Sequence, residues 1–242
     1  MGARLKSASI NQTLRLALKA LIASTLLYWL RSGGFSFWVA LVFILAFGVF
    51  YLRPMLNNGK FIPSSLALLS IPFFSPVLAS GGEFLFITSW GVSFFILLGV
   101  KNLVLIQRQK AYRIVHFGII AALGTLLIER FGLTSQGLVF IALFLMFREF
   151  YSTVTESEGE RPTLIAALEA FMFIEIAWII LFLSVDVLIG GAFLTLFVFI
   201  FHDTTTHRLA GSLSRAIVVR NAVLFAALTI LISALSAIGA LV

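Results

Sequence analysis

The 242-residue chain is 61% hydrophobic and only 11% charged, with a mean hydropathy of +1.11 and no cysteine. Soluble domains carry about 25% charged residues, so this composition is that of a lipid-embedded chain, and the missing thiols exclude disulfides, thiolate nucleophiles and cysteine-ligated metals. A formal net charge of +7 would suit a nucleic-acid binder in water, but here the basic residues flank apolar runs as orientation signals do, and no nucleic-acid partner is expected.

Apolar runs measured against a span of about 20 residues give nine segments, at 14–30, 35–52, 61–79, 83–100, 114–128, 133–147, 162–184, 187–201 and 221–242. Twenty-six Phe and five Pro fit close-packed helices better than barrel strands, which alternate polar and apolar residues. The expected class is an all-α polytopic membrane protein in which 1–242 form a single integral membrane domain. The count falls to eight if the short Val185-Asp186 link is a kink in one long helix.

The first run, after Arg15, carries Lys19 and leads to Arg31 rather than to a small-residue cleavage site, so it reads as a retained helix and not a cleaved signal. Lys6 occupies the Ser/Thr position of the myristoylation pattern, which removes that anchor. With the amino terminus cytoplasmic, fifteen of the seventeen Lys and Arg residues fall inside and only Arg31 and Arg130 outside. That bias fixes the expected orientation, carboxyl terminus outside, in a membrane we expect to be a prokaryotic plasma membrane.

The third segment holds Pro63 at its start and Pro72 and Pro76 within it. Each interior proline lacks an amide donor, so the carbonyls it frees need partners elsewhere. A helix broken in this way lines substrate paths in transporters, and the plainer alternative is a kinked packing helix. Paired glycines at Gly33-Gly34, Gly81-Gly82 and Gly190-Gly191 mark turns or close helix approach.

In the fifth segment His116 lies about a turn inside Arg113 and is a candidate to pair with Glu169 in a proton relay. Arg148-Glu149 anchors the inner end of the sixth, with Tyr151 read as part of the interfacial aromatic belt. The acidic run Glu156, Glu158 and Glu160 reads as a solvated loop.

The seventh segment is the one that stands out. Its twelve Leu, Ile and Phe residues favour insertion by roughly 5 kcal/mol, and its two carboxylates, Glu169 and Glu175, cost about 2.5 to 3.5 kcal/mol each. Acids at such a cost are expected to point into the bundle, to be protonated or to meet a partner. They are six residues apart, about 120° around the axis and about 9 Å along it, so each needs a partner on another helix. Glu175, nearer mid-membrane, shares its face with Met172, Trp178 and Phe182 and is the leading candidate for an ion or proton site.

At the end of the eighth segment stands His202-Asp203-Thr204-Thr205-Thr206-His207. The two histidines point about 140° apart on a helix, so the set is read as a capping and solvated turn in which Asp203 pairs with His207 or Arg208. Asp203 and His207, with Glu149 or Glu169, form a weaker metal candidate at the headgroup level. No cofactor is predicted.

Landmarks recur along the chain: Arg15 with Arg113, Arg53 with Arg148, Pro63-Ser64 with Pro162-Thr163, and Lys101-Asn102 with His202-Asp203, at separations of 98, 95, 99 and 101. They suggest two tandem four-helix units, 14–100 and 114–201, in parallel orientation, with 215–242 as an extra helix. In that register Pro76 falls opposite Glu175. The polar stretches 101–113, 148–161 and 202–220 are too short for a soluble catalytic domain. The expected partners are the bilayer itself and other membrane proteins docking on the basic cytoplasmic loops.

No motif names a reaction, and an enzyme is the less favoured class. Three functions are open: a small transporter or permeation protein using Glu175, Glu169 and His116, with the broken third helix as a moving wall; a membrane scaffold or assembly subunit; and a lipid-headgroup-modifying enzyme built on His202, Asp203 and His207.

Overall fold

A computed structural model describes residues 2–33, 36–53, 61–76, 80–105, 107–154, 160–183 and 185–239. Gly34, Lys60 and the loop acids Glu156 and Glu158 lie outside them, as do the ends of several of the expected segments. The described residues form nine helices and no strand: α1 (Gly2–Ser32), α2 (Phe37–Leu52), α3 (Ile62–Phe74), α4 (Ser80–Lys101), α5 (Arg108–Glu129), α6 (Leu133–Val154), α7 (Glu160–Phe182), α8 (Val187–Leu209) and α9 (Arg215–Gly239). The Val185-Asp186 link is a true break, because Asp186 caps α8 by accepting from the Leu188 amide at 2.8 Å.

Six helices contain stretches long and apolar enough to cross a membrane, Asn11–Ser32, Gly81–Lys101, Arg108–Glu129, Leu133–Thr153, Pro162–Phe182 and Val187–Leu209, which marks an integral membrane protein. At 16 and 13 residues, α2 and α3 reach only about 24 and 20 Å, short of a hydrocarbon core of about 30 Å.

Helices α5, α6 and α8 run one to two turns past their apolar stretches. The hydrogen-bond ladder continues through polar residues once a helix has nucleated. Arg108 to Arg113, Arg148 to Thr153 and His202 to Leu209 are therefore helical, and their inward faces are carried into the bundle.

The chain divides into two compact units, residues 1–115 and 116–242. In unit 1 the rings of Phe43, Phe47, Trp90 and Phe94 stack between α2 and α4, with centroids 4.5 to 6.5 Å apart. α1 crosses α4 where Gly91 meets Ser24. A Cβ on that glycine would lie 2.1 Å from the serine oxygen, so a larger residue there requires the serine side chain to move. In unit 2 the buried side of α8 is Leu194, Val198, His202 and Thr205, spaced four, four and three as one helical face requires. α8 crosses α5 in the same manner: a Cβ on Gly191 would fall 2.3 Å from Thr125 Oγ1.

Candidate functional site

Unit 2 assembles a buried polar chain from four helices. Antiparallel order brings the start of α5, the end of α6, the start of α7 and the end of α8 to one side. These turns supply His116, Tyr151, Glu169 and His202, all at most 1% exposed. Glu169 Oε1 lies 2.5 Å from His202 Nδ1, and Glu169 Oε2 accepts from the Tyr151 hydroxyl at 2.8 Å. His202 Nε2 lies 3.1 Å from His116 Nε2, so one of these nitrogens donates and the other accepts.

Aromatic rings enclose the chain. Phe150 lies 4.2 Å from the His202 ring and stacks on His116 at 4.7 Å, while Phe147 meets His202 edge-on at 5.0 Å. Burial among these rings removes water as an alternative partner and makes each side-chain bond costly to lose.

Glu169 reaches this position because it sits on the small-residue face of α7, with Ala166, Ala170, Phe173 and Ala177, all fully buried. The same geometry removes Glu175. Six residues on, it is turned about 120° from Glu169 and is exposed, on the face that also carries the exposed Trp178 and Phe182. The expectation that Glu175 points into the bundle is corrected accordingly. A groove of about 770 Å³ does exist, in unit 1 between α1 and α4 around Ser24 and Gly91, and none of Glu175, Glu169 and His116 lines it.

His116 and Glu169 are linked through His202. That residue, expected in a solvated turn, is instead the central link. Tyr151, read as interfacial belt, is its buried neighbour, with ring centroids 5.2 Å apart. The rest of the His/Asp cluster diverges. Asp203 accepts from Arg220 at 2.5 Å and Asn221 at 2.9 Å, tying α8 to α9, and is 3.8 Å from His207 Nε2. His207 turns to Ser212 at 3.0 Å. Among the described residues no three His, Asp or Glu side chains stand together as a metal-binding group.

In the sequence, the inward face of α6 is visible as Leu143, Met146, Phe147, Phe150 and Tyr151, at spacings of three, one, three and one. That helical period would have drawn Tyr151 inward had the helix been continued past Phe147.

In unit 1 the proline break is resolved by side-chain donors. Pro72 has no amide for the Leu68 carbonyl four residues back, and the Trp90 indole takes that place at 2.8 Å. At the end of α3, buried Arg31 donates to the carbonyls of Pro72 at 2.9 Å and Pro76 at 2.6 Å and to Ser75 Oγ at 2.8 Å, and it pairs with Glu83. Lys101, fully buried at the end of α4, donates to the Tyr51 carbonyl at the end of α2.

Comparisons with protein-family models, with curated proteins and with solved structures find no match for the chain.

Proposed function

We propose that the chain is a small multi-pass transporter or permeation protein that moves protons, or a solute coupled to them, with Glu169, His202 and His116 as the relay. The observation that carries this reading is the unbroken chain of three exchangeable groups inside an apolar unit: carboxylate to imidazole at 2.5 Å and imidazole to imidazole at 3.1 Å.

His202 presents Nδ1 to Glu169 and Nε2 to His116, so a proton can be received on one nitrogen and released from the other. A proton arriving at His116 Nδ1 releases the one on Nε2 to His202 Nε2. His202 then gives its Nδ1 proton to Glu169 Oε1. One proton enters, one carboxylate is neutralised and both rings finish uncharged in the opposite tautomer. Tyr151 holds the second carboxylate oxygen and keeps the acid aimed at His202.

In this reading the chain crosses a prokaryotic plasma membrane nine times, amino terminus inside and carboxyl terminus outside, as two tandem four-helix units with α9 added. The relay then lies toward the cytoplasmic side.

A second reading has its own support. Glu169 is satisfied by fixed partners and packed among rings, which suits a polar lock in a scaffold or assembly subunit, with basic cytoplasmic loops as the docking face. The lipid-modifying alternative gains nothing from the site, because His202, Asp203 and His207 point to different partners.

The test is proton flux into vesicles reconstituted with purified protein, driven by an imposed gradient and read by an internal pH dye. Glu169→Gln is expected to lower flux at least about tenfold, the scale of a lost proton-transfer group, and Glu175→Gln to leave it unchanged. No flux in the native protein, or equal flux with and without Glu169, rejects transport in favour of the lock.

A further inference from the structure

The two units carry their charge differently. Residues 1–115 hold eleven Lys and Arg and a single acid, Glu83, whereas residues 116–242 hold six and nine. On the side that the functional reading makes cytoplasmic, unit 2 sets five arginines among the acids Glu149, Glu156, Glu158, Glu160 and Asp203. Unit 1 sets ten cations there and no acid.

Orientation does not ask for this. The bias that orients a membrane chain counts Lys and Arg, and Asp and Glu add little to it, so acids are as admissible in the inner segments of unit 1 as in those of unit 2. Their absence needs another cause, and a surface that holds anions supplies one. Glu83 itself is engaged, paired with Arg31 at the far end of α1.

The fold gathers three of these cations. Lys19 on α1 donates to the carbonyls of Phe50 at 3.3 Å and Arg53 at 2.5 Å, so its ammonium is fixed at the last turn of α2. Arg15 lies one turn from Lys19 on the same face of α1, and both Arg15 and Arg53 are exposed. The ion pairs among the described residues are Arg31–Glu83, His202–Glu169, His207–Asp203 and Arg220–Asp203, and neither guanidinium takes part in one.

Their depth matters as well. Phe37 and Trp38, 68% and 71% exposed, begin α2 and set that end at an interface, where exposed aromatic rings lie. From Trp38 to Arg53 the helix covers about 22 Å, against a hydrocarbon core of about 30 Å. The end of α2 therefore stops about 8 Å short of the other headgroup plane, and Arg15, about 6 Å further along α1, stands in the gap. A short span of this kind is matched by drawing the headgroups inward. The cations then meet lipid phosphate directly.

We infer that Arg15, Lys19 and Arg53 form a site for the phosphate of an anionic phospholipid of the cytoplasmic leaflet. The guanidiniums offer paired donors that match phosphate oxygens, and the ammonium adds a point charge. Each cation at a membrane surface strengthens such binding about fivefold. The inference takes only the leaflet from the functional reading. Binding in detergent depends on neither sidedness nor proton flux, so the two can fail separately.

The test is titration of the purified full-length chain, in a neutral detergent, with phosphatidylglycerol or phosphatidylcholine, with bound lipid counted by native mass spectrometry. The native protein is expected to take up one phosphatidylglycerol at least about tenfold more tightly than phosphatidylcholine. Arg15→Gln or Arg53→Gln alone should weaken the former about fivefold and the two together about 25-fold, with the phosphatidylcholine affinity and the thermal midpoint unchanged. Arg108→Gln with Lys110→Gln removes the same charge from the exposed start of α5 and should change neither affinity. Three results would overturn the site. Equal affinity for the two lipids would mean no recognition of the anion, equal loss in both double variants would mean diffuse charge, and full displacement by equimolar inorganic phosphate would mean a site for a free anion and not for a lipid.

Discussion

The cations of unit 1 are turned largely on backbone carbonyls. Buried Arg31 serves those of Pro72 and Pro76 besides pairing with Glu83, buried Lys101 serves that of Tyr51, and half-buried Lys19 that of Arg53. In unit 2 the buried polar groups are turned on one another: acid on imidazole, imidazole on imidazole, phenol on acid. The difference is chemical rather than one of depth. A carbonyl takes no proton and a guanidinium gives none up near neutral pH, so the Arg31 bonds to the backbone hold a helix end in place. Histidine and glutamate each exist in two protonation states, so the groups buried in unit 2 are ones able to exchange a proton.

The sharpest way to break the comparison is to remove the guanidinium. Arg31→Met is expected to cost about 3 to 5 kcal/mol, the range for leaving one partner of a buried ion pair alone. Here Glu83 and the carbonyls at the end of α3 lose their donor together. The readout is the thermal midpoint in detergent, expected to fall by about 10 °C, with Arg31→Lys between the two because an ammonium cannot span the same set. Next in size is Trp90→Phe, which takes the indole from the Leu68 carbonyl and is expected to cost about 2 kcal/mol. Adding Pro72→Ala to that variant restores a backbone amide at the break and should recover part of the loss. Non-additivity of this kind is the mark of a shared carbonyl, and strict additivity would mean that Trp90 acts by packing alone.

In unit 2 the corresponding change is smaller. Tyr151→Phe removes one of two hydrogen bonds to Glu169 and is expected to cost about 1 to 2 kcal/mol, again read as a thermal midpoint, with proton flux reduced but not abolished because the carboxylate loses its aim and not its partner.

How far the sequence carries toward these sites depends on the kind of information each needs. Hydropathy located the nine helices of the described residues, six of them long and apolar enough to cross a membrane, because burial in lipid acts on each segment separately. Hydropathy alone ends α6 and α8 too early, since a helix does not stop where its side chains become polar, and so it places Tyr151 and His202 at a surface. The angular argument for α7 was sound as far as it went: Glu169 and Glu175 cannot share a face. Which of the two faces inward depends on the neighbouring helices, and the cost of insertion, being greatest at mid-membrane, pointed to the wrong one. Ala166, Ala170 and Ala177, small residues at the spacing of a helix interface, carried the information that decides it. The need for donors around Pro72 and Pro76 was also legible, whereas their identity, Trp90 and Arg31, lies 18 and 41 residues from Pro72 in sequence and is set by packing.

The least disruptive change should be at Glu175, and its smallness is what gives it force. Its carboxyl stands on the outward face of α7 with Trp178, 43% exposed, and Phe182, 81% exposed, and among the described residues no polar partner holds it there in the way that His202 and Tyr151 hold Glu169. Glu175→Gln keeps size and hydrogen-bonding capacity while removing the charge, so the expected change in stability is within about 0.5 kcal/mol and the expected change in proton flux is none. Glu175→Leu goes further, replacing a costly residue in the span by one that favours insertion, and should match or exceed the native yield in membranes. If either variant instead abolished flux while Glu169→Gln did not, the acid on the outer face would be the working one and the buried chain of unit 2 would be a lock, like the Arg31 contacts of unit 1.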